Sequence, residues 1–190
     1  TDQPAESNLP KLENILIVGG GGRENSLAWA LSQCNGIKSI FVCPGNGGTE
    51  THCLCHRLDV EELNSLEIIK ACKSLKIDLV VIGGEKPLAS GLADKLRDAQ
   101  LTVFGPGAEG AQLEASKHWA KELMQEANIP TANYWIADNE EDALSILKKI
   151  NSPLVVKADG LAAGKGVTVC ESIEETILAI KKVFTGKFGK

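Results

Sequence analysis

Two stretches of this chain carry residue types suited to chemistry on anions: GGGGRE (Gly19 to Glu24) and VVKADGLAAGKGVTV (Val155 to Val169). In the first, glycines follow the apolar run ILIV (Ile15 to Val18) and open the helical spacing of SLAWALSQC. Backbone N–H groups at such a strand-to-helix turn, together with the positive end of the helix dipole, suit a phosphate. In the second, a glycine-rich loop joins two valine-rich runs and follows Lys157, the layout of a hairpin flap over phosphates.

Two common phosphate motifs fail on spacing. A dinucleotide fingerprint wants G-x-G-x-x-G/A and an acid at the end of the second strand. With Gly20 and Gly22 as its first glycines, the third position is Asn25, and the second strand runs into Pro44, Gly45 and Asn46. That weakens a nicotinamide oxidoreductase. A Walker loop needs G-K-[ST], yet Gly164 and Lys165 are followed by Gly166, so the magnesium-binding hydroxyl is missing. The cluster THCLCH offers His52, Cys53, Cys55 and His56, but C-x-C spacing without a second pair does not close a tetrahedral zinc site. No metal ligands are assigned, and an irregular loop is expected there.

The loops need a frame that sets them side by side. Apolar runs at Ile15 to Val18, Ser39 to Cys43, Asp78 to Gly83 and Leu101 to Gly105 read as buried parallel strands. Helical spacing covers Leu27 to Cys34, Leu63 to Leu75 and Leu88 to Ala99. The alternation predicts an α/β fold: an open parallel, Rossmann-like sheet with helices on both faces and a ligand crevice beyond the strands' carboxyl ends. GGGGRE, PGNGG (Pro44 to Gly48), GGEKPL (Gly83 to Leu88) and GPG (Gly105 to Gly107) all lie at such ends. Arg23 for a phosphate, with Glu24, Asn46 and Glu85 for hydroxyl or amine groups, would face one crevice.

Farther along, a helix is expected over Ala111 to Ala127, then a strand (Asn133 to Ala137), a helix (Glu140 to Ile150), strands at Pro153 to Lys157 and Val167 to Cys170, and a helix (Ile173 to Val183). This is a small α+β unit. The boundary is expected near Gly110 to Ser116, dividing the chain into 14–112 and 113–190. Residues 1–13, with Pro4 and Pro10, read as a mobile leader.

The segments GGGGREN, PGNGG, GGEKPLASG, FGP, QLEASKHWAKELM, IPTANY and KADGLAAGKGV resemble, in order, the amino-terminal portion of the phosphoribosylamine–glycine ligases, ATP-grasp enzymes of purine biosynthesis. The resemblance runs from about Asn14 to the end. It implies a pre-ATP-grasp sheet domain followed by an ATP-grasp lid. It also implies that glycine is activated by ATP as glycyl phosphate and then captured by the amine of 5-phosphoribosylamine, with Mg²⁺ (or Mn²⁺) assisting. By the same resemblance Lys117, Lys157 and the flap Gly160, Leu161, Ala162, Ala163, Gly164, Lys165 and Gly166 hold the ATP phosphates. Gly21, Gly22, Arg23, Glu24, Asn46 and Glu85 form the phosphoribosylamine cradle. Asn25 stands where the family usually has histidine, and Gly84 where it usually has proline. The family's metal ligands and adenine-binding hinge are expected beyond Lys190, in a missing carboxyl-terminal domain, so the chain reads as the first part of a longer ligase. The alternatives are another ATP-grasp ribonucleotide ligase or carboxylase, and a non-catalytic phosphoribosyl-binding module that needs a partner chain.

Composition bounds the rest. Twenty basic and 25 acidic residues, a formal charge of −5, disfavour a nucleic-acid surface, which needs clustered positive charge. There is no apolar run of membrane-spanning length, about 18 residues or more, and no secretory pattern at the start, which predicts a cytoplasmic protein. The six cysteines are expected as free thiols.

Overall fold

The computed structural model describes residues 11–160 and 166–186. Leu161, Ala162, Ala163, Gly164 and Lys165 of the expected flap lie outside the described residues, as do residues 1–10 of the expected leader. The chain forms two compact units, Thr1–Ala111 and Gln112–Lys190.

In the first unit five parallel strands run in the order β3-β2-β1-β4-β5. They are β1 (Asn14–Gly19), β2 (Ser39–Pro44), β3 (Cys55–Arg57), β4 (Leu79–Ile82) and β5 (Val103–Phe104). The helices are α1 (Gly22–Ser32), α2 (Ser65–Ser74), α3 (Glu85–Ala89), α4 (Leu92–Asp98) and α5 (Ala108–Ala115), the last carrying the division between the units. This is the open α/β sheet that the alternation predicts.

The central strand explains the order. Alternate residues of β1 point to opposite faces, and each face meets its own apolar cluster. Leu16 and Val18 pack with Ile68, Cys72, Val80, Leu92 and Leu96, while Ile15 and Ile17 pack with Ala28, Ile40 and Val42. No polar residue in β1 would satisfy either side, which is why the run reads as continuous ILIV.

Several boundaries differ from expectation for identifiable reasons. Glu13, placed in the mobile leader, is anchored. Its N–H and that of Asn14 donate to the Asp78 carboxylate at 2.9 and 2.8 Å, and its carbonyl accepts from Lys38 and Ser39. The THCLCH stretch runs into β3, which pairs with β2 through Cys55 opposite Ile40. The helix expected over Leu88 to Ala99 is two pieces, because Gly91 adopts a left-handed conformation (φ 76°) between them. Among the described residues no helix is long and apolar enough to cross a membrane.

In the second unit α6 (Lys117–Glu126), α7 (Glu140–Ile150) and α8 (Ile173–Phe184) accompany an antiparallel pair, β6 (Val155–Lys157) and β7 (Val167–Val169). The long helix expected over Ala111 to Ala127 breaks at Ser116, whose extended backbone and hydroxyl cap α6 by accepting from the Trp119 N–H. The strand expected at Asn133 to Ala137 is irregular chain. Side chains hold the neighbouring segment instead: Lys121 donates to the Thr131 hydroxyl and the Ala132 carbonyl and lies 5.6 Å from the Tyr134 ring centre. Thr176, fully buried, accepts from the Leu154 N–H and donates to the Ser172 carbonyl, tying α8 to the entry of β6.

Replacing Leu16 by Ala should destabilise the first unit by about 3 kcal/mol, the usual cost of a large core cavity. The same change at Leu66, 77% exposed, should stay within about 0.5 kcal/mol. Urea midpoints of the two variants check the contrast.

Candidate functional site

Each unit carries its own cluster. In the first, β1 pairs with β2 on one side and β4 on the other. The chain therefore winds away from β1 in both directions, and the crevice at this reversal, outside the carboxyl ends, is the ligand position in sheets of this kind. The Gly19 to Gly22 turn and the loop from Gly83 to Glu85 border it.

Arg23, the second residue of α1, reaches across that gap. Its Nη1 donates to the Gly83 carbonyl and its Nη2 to Glu85 Oε1 at 2.8 Å. The guanidinium and carboxylate side chains remain 60% and 45% exposed, so both are open to a solute. The hydrogen bond from Arg23, aided by a backbone N–H and the positive charge, outweighs burial and holds the Glu85 carboxyl below the ordinary glutamate range.

Asn46 closes the turn from the β2 side. Its amide donates to the Gly20 and Gly21 carbonyls at 3.1 and 3.3 Å, and its oxygen accepts from the Gly48 N–H at 2.8 Å. The approach is tight, since a Cβ on Gly20 would lie 2.9 Å from the Gly45 carbonyl oxygen, so glycine is required there. Gly21 and Gly22 are exposed, and nothing lies within 4 Å of where a Gly22 Cβ would be. The Gly21 N–H is taken by Glu24, so it is the Gly22 backbone at the start of α1 that is open to an anion.

Glu24 sits differently. It is only 5% exposed, and its Oε2 accepts from the Gly21 N–H at 2.7 Å. Sequence reasoning also passed over Thr49, which is buried and accepts from the Asn46 N–H at 3.0 Å. The only signal was a hydroxyl three residues after Asn46. Burial pushes the Cys43 thiol, at the end of β2, up to about 12, which makes it a poor nucleophile.

The second cluster centres on the base of the β6–β7 hairpin, which the Ala158 N–H closes by donating to the Gly166 carbonyl at 2.7 Å. Asp159 accepts from the Lys117 N–H at 2.6 Å and from the Ser116 hydroxyl at 3.0 Å. It thereby caps α6 from outside the helix. Burial raises its pKa, but hydrogen bonds from Lys117, Ser116, Gly160 and His118 outweigh this and leave the carboxyl below its ordinary value. Lys117 Nζ donates to the Gly160 carbonyl at 2.9 Å. Lys117, Lys157 and Asp159 line a cavity of about 670 Å³ with Tyr134, Trp135 and Ile180. That volume and apolar lining with a few charges suit a nucleotide-sized ligand. Among the described residues no group of three or more His, Cys, Asp or Glu is placed to hold a metal.

Comparison with known proteins agrees with this division. The family model for the phosphoribosylglycinamide synthetase N domain matches residues 13–114, and that for the phosphoribosylglycinamide synthetase ATP-grasp (A) domain matches 115–190. The phosphoribosylamine–glycine ligase of Nostoc sp. is 47% identical over 175 residues, covering 92% of this chain and 41% of the relative. That of Clostridium acetobutylicum is 44% identical over 181 residues, covering 93% and 43%. The crystal structure of the Thermotoga maritima phosphoribosylamine–glycine ligase superposes with a TM-score of 0.70 at 34% identity, covering 92% of this chain and 40% of that one. The chain thus spans about two fifths of the length of these relatives.

The Arg23 to Glu85 contact has a titration consequence. A carboxylate with a lowered folded pKa gains its pairing above the ordinary value and loses it as the pH falls through the lowered one. Carboxyl-carbon NMR should therefore place the Glu85 midpoint below the ordinary range. In Arg23→Ala it should move back up; an unchanged midpoint would refute the contact.

Proposed function

Since the chain belongs to the phosphoribosylglycinamide synthetase family, we propose that the protein joins glycine to 5-phosphoribosylamine in purine biosynthesis, cleaving ATP to ADP and phosphate. The observation that carries this reading is the meeting of Arg23 and Glu85 across the sheet's reversal, beside the exposed turn of Gly21 and Gly22. A phosphorylated sugar has one end for each: a dianion for the backbone N–H groups and the guanidinium, and hydroxyl or amine donors for the carboxylate.

In the second unit Lys117 and Lys157 would meet the phosphates of ATP, with Tyr134 and Trp135 as apolar walls of the cavity they line. ATP supplies the phosphoryl group that turns the glycine carboxylate into a carbonyl the amine can attack. The chain's own task is to orient the phosphates, screen their charge and limit water. Lys117 and Lys157 would meet part of that phosphate charge.

Calorimetry tests each half. Ribose 5-phosphate should bind the chain, and Arg23→Ala should weaken it at least about tenfold, the scale of a hydrogen bond to a charged group. Lys117→Ala and Lys157→Ala should each weaken ATP by a similar factor and leave ribose 5-phosphate untouched. A protein of the relatives' full length should release ADP only when glycine and phosphoribosylamine are both present. Turnover without either would overturn the assignment.

A further inference from the structure

Of the six residues expected to form the cradle, Glu24 is the one that is buried, and its carboxylate contacts the backbone of the glycine turn. A Cβ built on Gly83 would lie 2.7 Å from Glu24 Cγ and 2.8 Å from its Cδ, nearer than carbon atoms approach. One on Gly19 would lie 2.6 Å from the same two atoms. The side chain therefore fills the space that two missing side chains leave, one at the end of β1 and one just past the end of β4. Its Oε2 takes the Gly21 N–H as well. Three points on two loops are thus referred to one carboxylate.

The geometry points to Glu24 as a positioning residue for the ligand crevice: a buried wedge between Gly19 and Gly83 that sets the spacing at which Arg23 meets the Gly83 carbonyl and Glu85. Gly83 itself donates to the Val18 carbonyl at 3.0 Å, so the wedge and the sheet hold the same residue from two directions. Arg23 is the preceding residue in α1, and it binds the carbonyl of the glycine against which Glu24 packs. A shift of this wedge moves both ends of the Arg23 contact. On this reading the Glu24 carboxylate orders the loops and does not touch the sugar. The inference rests on the proposed phosphoribosyl ligand for its functional consequence, but its geometry stands apart from that ligand.

The backbone at Gly83 lies outside the left-handed region, so Gly83→Ala adds only a methyl group and its collision with Glu24. Ribose 5-phosphate affinity and urea midpoints are measured for the native chain, Glu24→Gln, Glu24→Ala, Gly83→Ala and the double variant Glu24→Ala/Gly83→Ala. Glu24→Gln should keep affinity within about threefold, because its amide oxygen still accepts from Gly21. Glu24→Ala and Gly83→Ala should each lose about tenfold, a size typical of residues in contact. In the Glu24→Ala background the added methyl should cost less than about twofold, since the space is then empty.

Losses that multiply in the double variant, or a Gln variant as weak as Ala, would overturn the wedge; the latter would mean that the ligand needs the negative charge. If the native chain binds no ribose 5-phosphate, the ligand assignment falls. The urea midpoints still decide the wedge, because Gly83→Ala must then destabilise in the presence of Glu24 and not in its absence. If Glu24→Ala does not fold, Glu24→Asp replaces it, being one methylene too short to reach both glycines and the Gly21 N–H.

Discussion

The burial of β1 on both faces is the constraint from which the first unit follows. Ile15, Leu16, Ile17 and Val18 are each at most 1% exposed, so helices must cover the sheet on both sides and strands must flank β1 on both edges. The strand is buried through Gly19, and the chain beyond its carboxyl end reaches solvent in the turn at Gly21 and Gly22. Whatever binds there meets backbone first, and the four glycines after Val18 let it come close. Removing apolar area from water is what fixes that turn in place.

Carboxylates then complete what the backbone leaves open. Asp78 receives the N–H groups entering β1, Asp94 the Ala108 N–H at the start of α5, and Asp159 the Lys117 N–H at the start of α6. Each comes from a distant part of the chain and satisfies donors that have no partner at the start of a helix or strand. An acid at a helix start is also favoured by the dipole, and hydrogen bonds to charge are stronger than neutral ones. These acids lie outside the helix or strand they serve, so no local capping pattern announces them.

That distinction separates what could be read in the residues from what could not. Parallel strands were legible because ILIV, IFVC and LVVI are apolar without interruption, and their alternation with helical spacing implied a sheet covered on both faces. The family was legible from KADGLAAGKGV and its companions. Short or side-chain-held pieces were not. β3 is three residues with one buried, too little for a period of two to register. The Asn133 to Ala137 segment has strand-like residue types but lies outside the two-stranded ladder of β6 and β7, and residue type alone does not supply a ladder. The breaks at Ser116 and Gly91 depend on backbone conformations that helical spacing does not encode.

The two units divide the work according to how their polar groups are committed. In the first, Asn46 is engaged with Gly20, Gly21 and Gly48, and Glu24 with Gly21, so the turn carries its hydrogen bonds before any ligand arrives. A site built this way loses little freedom on binding, which favours a small, highly charged ligand that must be held in one orientation. In the second unit the strands are three residues long and Lys157 stands exposed at the end of β6. Its cavity combines apolar walls with three lysines, Lys117, Lys121 and Lys157, of which Lys117 is held by its backbone N–H at Asp159 and by its Nζ at the Gly160 carbonyl. Under the proposed function, phosphate charge would be met by long, adaptable cations in one unit and by a rigid backbone turn in the other. Joining an amine to an activated acid needs both kinds of control, because the amine must be oriented while the transferred phosphoryl group changes its bonding.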